Sequence, residues 1–551
     1  MSSNNILEGL NPQQKKAVMC TEGPLLVFAG AGSGKTKVIT NRIAYLVTEK
    51  QIKPNNILAV TFTKKAAGEM QERVTAILES LGIKDGRVPT IGTFHSIGAM
   101  MLRQNASSIG LDNNFSIYDS DDSDNMIKEI MVERDIDIKQ IKPSSVSYFI
   151  STAKNDMVSP EQFPYHFSGF VEDIVSEIYP IYQKQLQSQN AVDFGDLLYL
   201  TVKLLEENEG VKEKYQNKYK YLLIDEYQDT NTVQYRFAKL LSEKHHNICV
   251  VGDDDQGIYA WRGADIKNIQ SFEKDFDNVT VVKLEQNYRS TKNVIKAAVH
   301  VIQQNNSRVD KVLWTDNDDG EKISIYQALD QEDEAEYVVS NIRLIQQKGI
   351  PLKDIAILYR TNYQSRVIEE ALLKSALPYK LVGGFRFYER KEIKDIISYL
   401  RFCFNPKDEL SLDRIINTPP RKNGPKAVAD LHSLAKENHL TIGEFLIAAY
   451  VSDNMEFLGD SKLSKEVVES ISSSKDRWKK YITTVSLFGS LYFFAKEREL
   501  IDIIDSILER TKYIEWFDDG SEEALMKKDN ITELKNVASS YSSKHGKQSL
   551  E

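Results

Sequence analysis

Apolar residues along this chain come in two arrangements: short unbroken runs, and longer stretches where they recur every three or four positions. The first suits strands buried on both faces, the second amphipathic helices. The runs Leu25–Phe28, Leu58–Phe62, Thr90–Phe94, Tyr221–Ile224, Ile248–Asp253 and Val279–Glu285 predict the strands of one parallel sheet. Between about 115 and 200 such runs are scarce and helix formers dominate, which predicts a helical excursion out of the sheet. Its acidic entry, Asp119-Ser-Asp-Asp-Ser-Asp124, lacks the Gly and terminal Glu of a calcium loop and reads as a helix cap. After about 285 a second α/β alternation begins. Strands are predicted at Lys322–Ala328, Asp354–Arg360 and Tyr379–Gly383, with helices over Glu332–Ile345 and near Tyr363–Ser375. The stretch Asp316–Gly320 reads as a surface turn. From about 385 onward the pattern is helical and mostly polar.

Composition narrows the class. A chain of 551 residues with 41% hydrophobic positions has material for several cores. No apolar run approaches the roughly 20 residues of a membrane span, and the first residues lack a secretory signal pattern. Three cysteines, Cys20, Cys249 and Cys403, are too scattered for a disulfide framework or a zinc site, so a reducing cytoplasm is expected. The net charge of −10 gives no electrostatic hint of nucleic acid, so such a partner has to be argued from local sites.

The most specific chemistry lies at Ala29-Gly-Ala-Gly-Ser-Gly-Lys-Thr36, between a predicted strand and a predicted helix. Small residues let backbone N–H groups close around phosphate oxygens at a helix N-terminus; Lys35 would neutralise the β/γ-phosphates and Thr36 ligate Mg²⁺. Ala29 stands where the strict pattern wants Gly. A buried run ends at Asp225-Glu226, suited to holding Mg²⁺ (Asp225) and polarising the attacking water (Glu226). About 190 residues separate this pair from Lys35, so something is inserted between them. The loop Val251–Gly263 places Gln256, able to sense a γ-phosphate, near Tyr259, Trp261 and Arg262, which suit stacking on unpaired bases. Leu284–Ser290 carries Tyr288, a further stacking candidate, and Arg289, a candidate arginine finger.

These motifs, together with Leu10–Gln14, Val60–Ala67, Thr93–His95, Val192–Asp196, Ala356–Thr361, Gly383–Arg390 and Arg414–Pro419, stand in the order of a superfamily 1A DNA helicase. The chain resembles the UvrD/PcrA/Rep family over essentially its whole length, with the Rep branch as the nearest likeness. The resemblance implies an α/β fold: a P-loop, RecA-like parallel-sheet domain 1A (1–112 and 200–283) with a helical insertion 1B (113–199). A partial second RecA-like domain 2A (284–383) and a helical 2B (384–551) would follow. It implies ATP and Mg²⁺ as ligands, with Gln14 reading the adenine edge, and Ala29, Gly30, Ala31, Gly32, Ser33, Gly34, Lys37, Tyr288 and Arg289 joining Lys35 and Thr36 in the nucleotide site. Phe62, Thr63, His95, Phe194, Tyr259, Trp261 and Arg262 would line the single-strand track, with 3′ to 5′ movement. Lys64 replaces a usual Asn, and Lys37 a usual Arg whose planar fork stacks better on a base.

The family's Thr-x-His-x-x-Lys-Gly-Leu-Glu and Val-Gly-x-Thr-Arg-Ala segments do not occur, so the resemblance implies a C-terminally truncated chain: a shortened product, one half of a split gene, or a degenerate paralogue. Expected partners are single-stranded and 3′-tailed duplex DNA, replication or repair proteins, or a separate chain supplying those segments. Three functions compete: an ATP-driven helicase, an ATP- and single-strand-binding module without productive turnover, and a P-loop ATPase unrelated to DNA. The aromatic-bearing loop at 252–263 disfavours the third.

Overall fold

The computed structural model describes residues 4–83, 88–305, 308–382, 390–421, 423–461, 463–496, 498–518 and 522–545. These divide into two compact units, one of residues 1–320, 398–516 and 538–551, the other of residues 321–397 and 517–537.

The first unit is built on six strands: β1 (Leu25–Ala29), β2 (Ile57–Thr61), β3 (Thr90–Thr93), β6 (Tyr221–Ile224), β7 (Ile248–Gly252) and β8 (Thr280–Leu284). They form one sheet in the order β3-β2-β6-β7-β1-β8, all neighbours parallel. The period of two along each strand splits the core into two layers. Leu26, Phe28, Leu58, Val60, Leu222, Ile224 and Val250 face one layer, and Leu25, Val27, Ala59, Leu223 and Val251 the other. Helix Lys35–Thr48 covers the second face through Val38, Ile39 and Ile43, and helix Phe194–Glu207 the first through Leu197, Leu198 and Val202. With every strand parallel, all six carboxyl ends open on one edge, where ligands bind in such sheets.

The predicted strands of this sheet are all present to within a residue or two. Two were not foreseen: β4 (Ser116–Tyr118) and β5 (Ala191–Asp193), which pair in parallel where the helical excursion leaves and rejoins the sheet domain. At three residues each they are too short to register as apolar runs. Between them, helices Ser120–Glu133, Pro143–Asn155 and Phe170–Ser188 enclose a core of Ile127, Ile130, Ile150 and Tyr179. The acidic entry is a cap: Asp119 accepts the Asp122 N–H, and Asp122 returns a bond to the Asp119 N–H. A later helical layer, with Phe402, Phe445, Trp478 and Phe488 at its core, belongs to the same unit. It meets the excursion through Arg401 on Asp122 at 2.6 Å and the Tyr118 hydroxyl on Asp408 at 2.9 Å.

In the second unit, helices Gln331–Gln347 and Ser365–Lys374 pack through Val339, Ile342, Leu372 and Leu377, in line with the periodicity. The strands expected at Lys322–Ala328, Asp354–Arg360 and Tyr379–Gly383 are a correction: none of their described residues is in a ladder, and Ile325 and Leu358 are over nine-tenths exposed. An apolar run becomes a strand only when a neighbour takes its N–H and C=O groups, and among the described residues none does. Gly383 and most of the Gly383–Arg390 motif lie outside the described residues.

Candidate nucleotide and nucleic-acid site

The phosphate loop leaves β1 and enters helix Lys35–Thr48. Ala29 is the last residue of β1 and wholly buried, so its methyl belongs to the core rather than to the phosphate cradle. The loop is held by the Gly30 N–H on the Leu284 carbonyl (3.0 Å) and by the Ser33 hydroxyl and N–H on the Gly30 carbonyl (2.7 and 3.2 Å). Gly32 and Gly34 have φ of +67° and +87°. Besides that conformation, a Cβ at Gly32 would stand 2.5 Å from Asn287 Nδ2, so only glycine fits. Thr36 follows Lys35 in the first turn of the helix, on the edge where β6 and β7 also end.

Asp225 and Glu226 follow β6. The Lys35 ammonium lies 2.8 Å from Glu226 Oε2, closing a gap of 191 residues. Glu226 has φ +50°, left-handed for a non-glycine residue, a form of strain that collects at functional sites. Asp225 is buried, and one of its oxygens accepts the Glu226 N–H at 3.0 Å. Burial first, and the neighbouring Glu226 second, push its carboxyl up to about 7, only partly countered by Lys35. Asp229 is pushed up to about 6 for the same two reasons, and its Oδ1 is buried with no partner among the described residues. The site is thus short of positive charge. Thr36 and Asp225 offer the hard oxygen ligands that Mg²⁺ takes, so the residues present fit that ion.

On the other side of the loop, Gln14, Lys37 and Tyr288 come together. Asn11, which caps the helix of Gln14, donates to the Tyr288 hydroxyl at 2.8 Å, and Lys37 reaches the Gly9 carbonyl at 2.8 Å. The Gln14 amide is buried and committed at both ends: Oε1 accepts the Asn11 N–H, and Nε2 donates to the Ser33 carbonyl at 2.9 Å. Each end keeps one further bond to give, the second Nε2 hydrogen and the second Oε1 lone pair, which is the donor–acceptor pair an adenine edge takes. Residues 287–289 lie directly on the phosphate loop: the Tyr288 N–H donates to the Gly32 carbonyl at 2.9 Å, and the Arg289 side chain is exposed beside it. Buried Asn287 is the joint, donating to the Ala31 carbonyl at 2.6 Å and accepting the N–H groups of Arg289 and Ser290 at 2.8 Å. Asn11 and Asn287 lie within the motifs Leu10–Gln14 and Leu284–Ser290, but no role was assigned to either from sequence; for Asn287 the available signal was an Asn two residues before a candidate arginine finger.

The loop after β7 begins with Asp253, Asp254 and Asp255, whose carboxylates lie close enough to hold a metal ion. Lys311 already bridges all three, and Arg308 clasps Asp255. Gln256 Nε2 donates to Asp253 at 2.6 Å. Further along, Tyr259 stacks on Phe62 with centroids 5.3 Å apart and lies 6.4 Å from Trp261, which is 65% exposed. Arg262 shares the same 3₁₀ turn. A second aromatic pair, His95 and Phe194, meets edge to face at 6.2 Å; burial lowers the imidazole's pKa, and half of Phe194 is exposed. Thr63 caps the helix after β2 by accepting the Ala66 N–H.

A parallel sheet that presents a phosphate loop after one strand and a paired acidic motif after another defines a P-loop nucleotide-binding protein. The family models carry the assignment further: the UvrD/REP helicase N-terminal domain matches residues 10–277, and the UvrD-like helicase C-terminal domain residues 282–551. The chain belongs to the UvrD/REP helicase family. It is 44% identical over 550 residues to the ATP-dependent DNA helicase PcrA of Bacillus subtilis, covering 100% of this chain and 71% of that protein. The PcrA proteins of Staphylococcus epidermidis and Staphylococcus aureus are each 43% identical, over 98% of this chain and 71% of their own length. These relatives carry the PcrA name, where the motifs suggested the Rep branch. The expected truncation finds no support, since both family domains are matched.

Proposed function

We propose that the protein is a DNA helicase that couples Mg-ATP hydrolysis to 3′ to 5′ movement along single-stranded DNA in the cytoplasm. The observation that carries this reading is the loop after β7. It holds Gln256 at one end, bonded to Asp253, whose N–H reaches the Gln228 amide beside Glu226, and at the other end Tyr259, stacked on Phe62, with Trp261 tilted next to it. One short segment thereby joins a phosphate sensor to a platform for bases. In this reading the phosphate loop from Gly30 to Gly34 and Lys35 cradle the triphosphate, while Gln14, Lys37 and Tyr288 flank the base. Thr36 and Asp225 hold Mg²⁺, which offsets charge on the β/γ-phosphates. The γ-phosphate competes for the Lys35 ammonium, and Glu226, released from its ion pair, orients the attacking water. Gln256 and Arg289 attend the γ-phosphate, where charge develops.

The domain scheme belongs to the same proposal: 1A from 1–112 and 200–283, 1B from 113–199, 2A from 284–383 and 2B from 384–551. Partners are single-stranded and 3′-tailed duplex DNA, with replication or repair proteins beyond them. The test is DNA-stimulated ATP hydrolysis together with unwinding of duplexes bearing a 3′ or a 5′ tail. Unwinding of the 3′-tailed substrate alone is expected. Nucleotide and strand binding with no turnover would instead favour a binding module, and preference for the 5′ tail would overturn the direction.

A further inference from the structure

Residues 308–314, to which no motif drew attention, cross the ends of three strands. After β7, Arg308 donates from Nε and Nη2 to the two Asp255 oxygens at 3.0 and 2.9 Å, and the Val309 N–H donates to Asp254 at 2.6 Å. After β8, the Val312 N–H donates to Glu285 Oε1 at 2.9 Å, and Trp314 exchanges backbone bonds with Glu285 and Asn287 at 3.1 and 2.7 Å. After β1, the Leu313 side chain covers Gly30 so closely that a Cβ there would lie 2.1 Å from Leu313 Cδ2. The segment therefore ties together the phosphate loop, the approach to Arg289 and the loop of Gln256.

Lys311 is the buried centre of this strap, 4% exposed. Its ammonium bonds Asp253 and Asp254 and lies 3.2 Å from Asp255 Oδ2. Lys311 takes Asp253 Oδ1, and the Gln256 amide takes Asp253 Oδ2. We propose that Lys311 is a positioning residue for Gln256: the ammonium fixes the Asp253 carboxylate, and that carboxylate fixes the amide that attends the γ-phosphate. Without Lys311, Asp253 Oδ1 keeps only the long 3.2 Å bond from the Asp255 N–H, so the carboxylate, and the amide bonded to it, are held less tightly. Asp254 and Asp255, bound to the same cation and to Arg308, keep the ammonium from following.

The inference rests on Gln256 as the γ-phosphate sensor, and the experiment separates the two. The readout is the affinity of the full chain for a non-hydrolysable ATP analogue divided by its affinity for ADP, measured alongside kcat and KM for ATP and a thermal melt. Lys311→Met is expected to lower that ratio about tenfold, the worth of one charge-assisted hydrogen bond, and to reduce kcat more than it raises KM. Lys311→Arg is expected to restore most of both. In a Gln256→Ala background, Lys311→Met is expected to leave the ratio where Gln256→Ala alone puts it, because the two act in series. Equal losses in both backgrounds, or an unchanged ratio in folded Lys311→Met, would overturn the proposal. If Lys311→Met does not fold, Lys311→Met/Asp254→Asn/Asp255→Asn, which leaves a single carboxylate without its cation, carries the same readout. A wild-type chain whose ratio is unaffected by Gln256→Ala overturns the sensor reading itself.

Discussion

β6 and β7 are neighbours in the sheet, and each ends in a cluster of carboxylates, yet the two clusters are handled in opposite ways. After β7, Asp253, Asp254 and Asp255 meet Lys311, Arg308, the Val309 N–H and the Gln256 amide. After β6, the Lys35 ammonium pairs with Glu226 alone and the Gln228 amide donates to Glu226 and Asp229, while Asp225 is pushed up to about 7 and an Asp229 oxygen has no partner among the described residues. Burying a charge without a partner is costly, so a protein that tolerates it at one strand end and cancels it at the next is keeping the first open for something. The paired cluster anchors a loop. The unpaired one awaits a ligand that brings positive charge with it, as Mg-ATP does.

The strongest way to break this comparison is to remove the one cation of the open cluster. Lys35→Ala leaves both the γ-phosphate and the Glu226 pair without their ammonium, and turnover is expected to fall by about 10²–10³-fold or more, with weaker ATP binding. The check is steady-state ATP hydrolysis with single-stranded DNA, alongside nucleotide titration. Unchanged ATP affinity would remove the phosphate-loop assignment.

Next comes the sign of the Asp225 contribution. A carboxyl held above its unfolded value keeps its proton more tightly when folded, so it costs stability as pH rises from the ordinary carboxylate range to about 7, and goes on costing it above. Asp225→Asn is therefore expected to raise nucleotide-free stability near neutral pH by about 2–3 kcal/mol while abolishing hydrolysis. Below the ordinary carboxylate range that gain should vanish. Denaturant melts at several pH values read this out, and a variant less stable than wild type at neutral pH would show that the open cluster is not open. Mg-ATP should stabilise wild type more than the variant.

The aromatic end of the β7 loop sharpens the comparison, because the anchored cluster is expected to hold the platform while taking no part in stacking. Trp261→Ala should weaken oligothymidine binding by roughly 1–3 kcal/mol, with ATP affinity in the absence of DNA largely retained. Fluorescence anisotropy with a labelled strand measures it. Loss of fold with unchanged affinity per folded molecule would make Trp261 a core residue, which its 65% exposure argues against.

How far the sequence revealed this site depended on how far apart its contacts lie in the chain. The phosphate loop was legible because the glycines, Lys35 and Thr36 are consecutive and no packing role explains that order. The acidic pair at 225–226 was legible from the apolar run that delivers it. Asn287, Asn11 and Lys311 were not, because what each does is settled 256, 277 and 58 residues away. The sheet of the first unit could be read because strands buried on both faces are continuous apolar runs. The same signal at 322–328 and 354–360 failed, since a run states that a segment is apolar and not that a partner strand stands beside it. The pairing of β4 with β5 failed the opposite way, having a partner but too few residues to show a pattern.

The smallest and most discriminating effect concerns the cancelled cluster. Asp254 shares the Lys311 ammonium with Asp253 and Asp255, and its second oxygen accepts the Val309 N–H at 2.6 Å. In Asp254→Asn the amide oxygen can still take that N–H, and Lys311 keeps two carboxylates, so the loss is one charge-assisted bond in a network that stays paired. That predicts destabilisation by about 1 kcal/mol, opposite in sign to Asp225→Asn. Turnover should persist, because Asp253 still links Lys311 to Gln256. The same denaturant melts provide the measurement. If Asp254→Asn instead stabilises the protein as Asp225→Asn is expected to, the aspartates after β7 are as uncompensated as those after β6, and charge balance no longer distinguishes an anchor from a binding site.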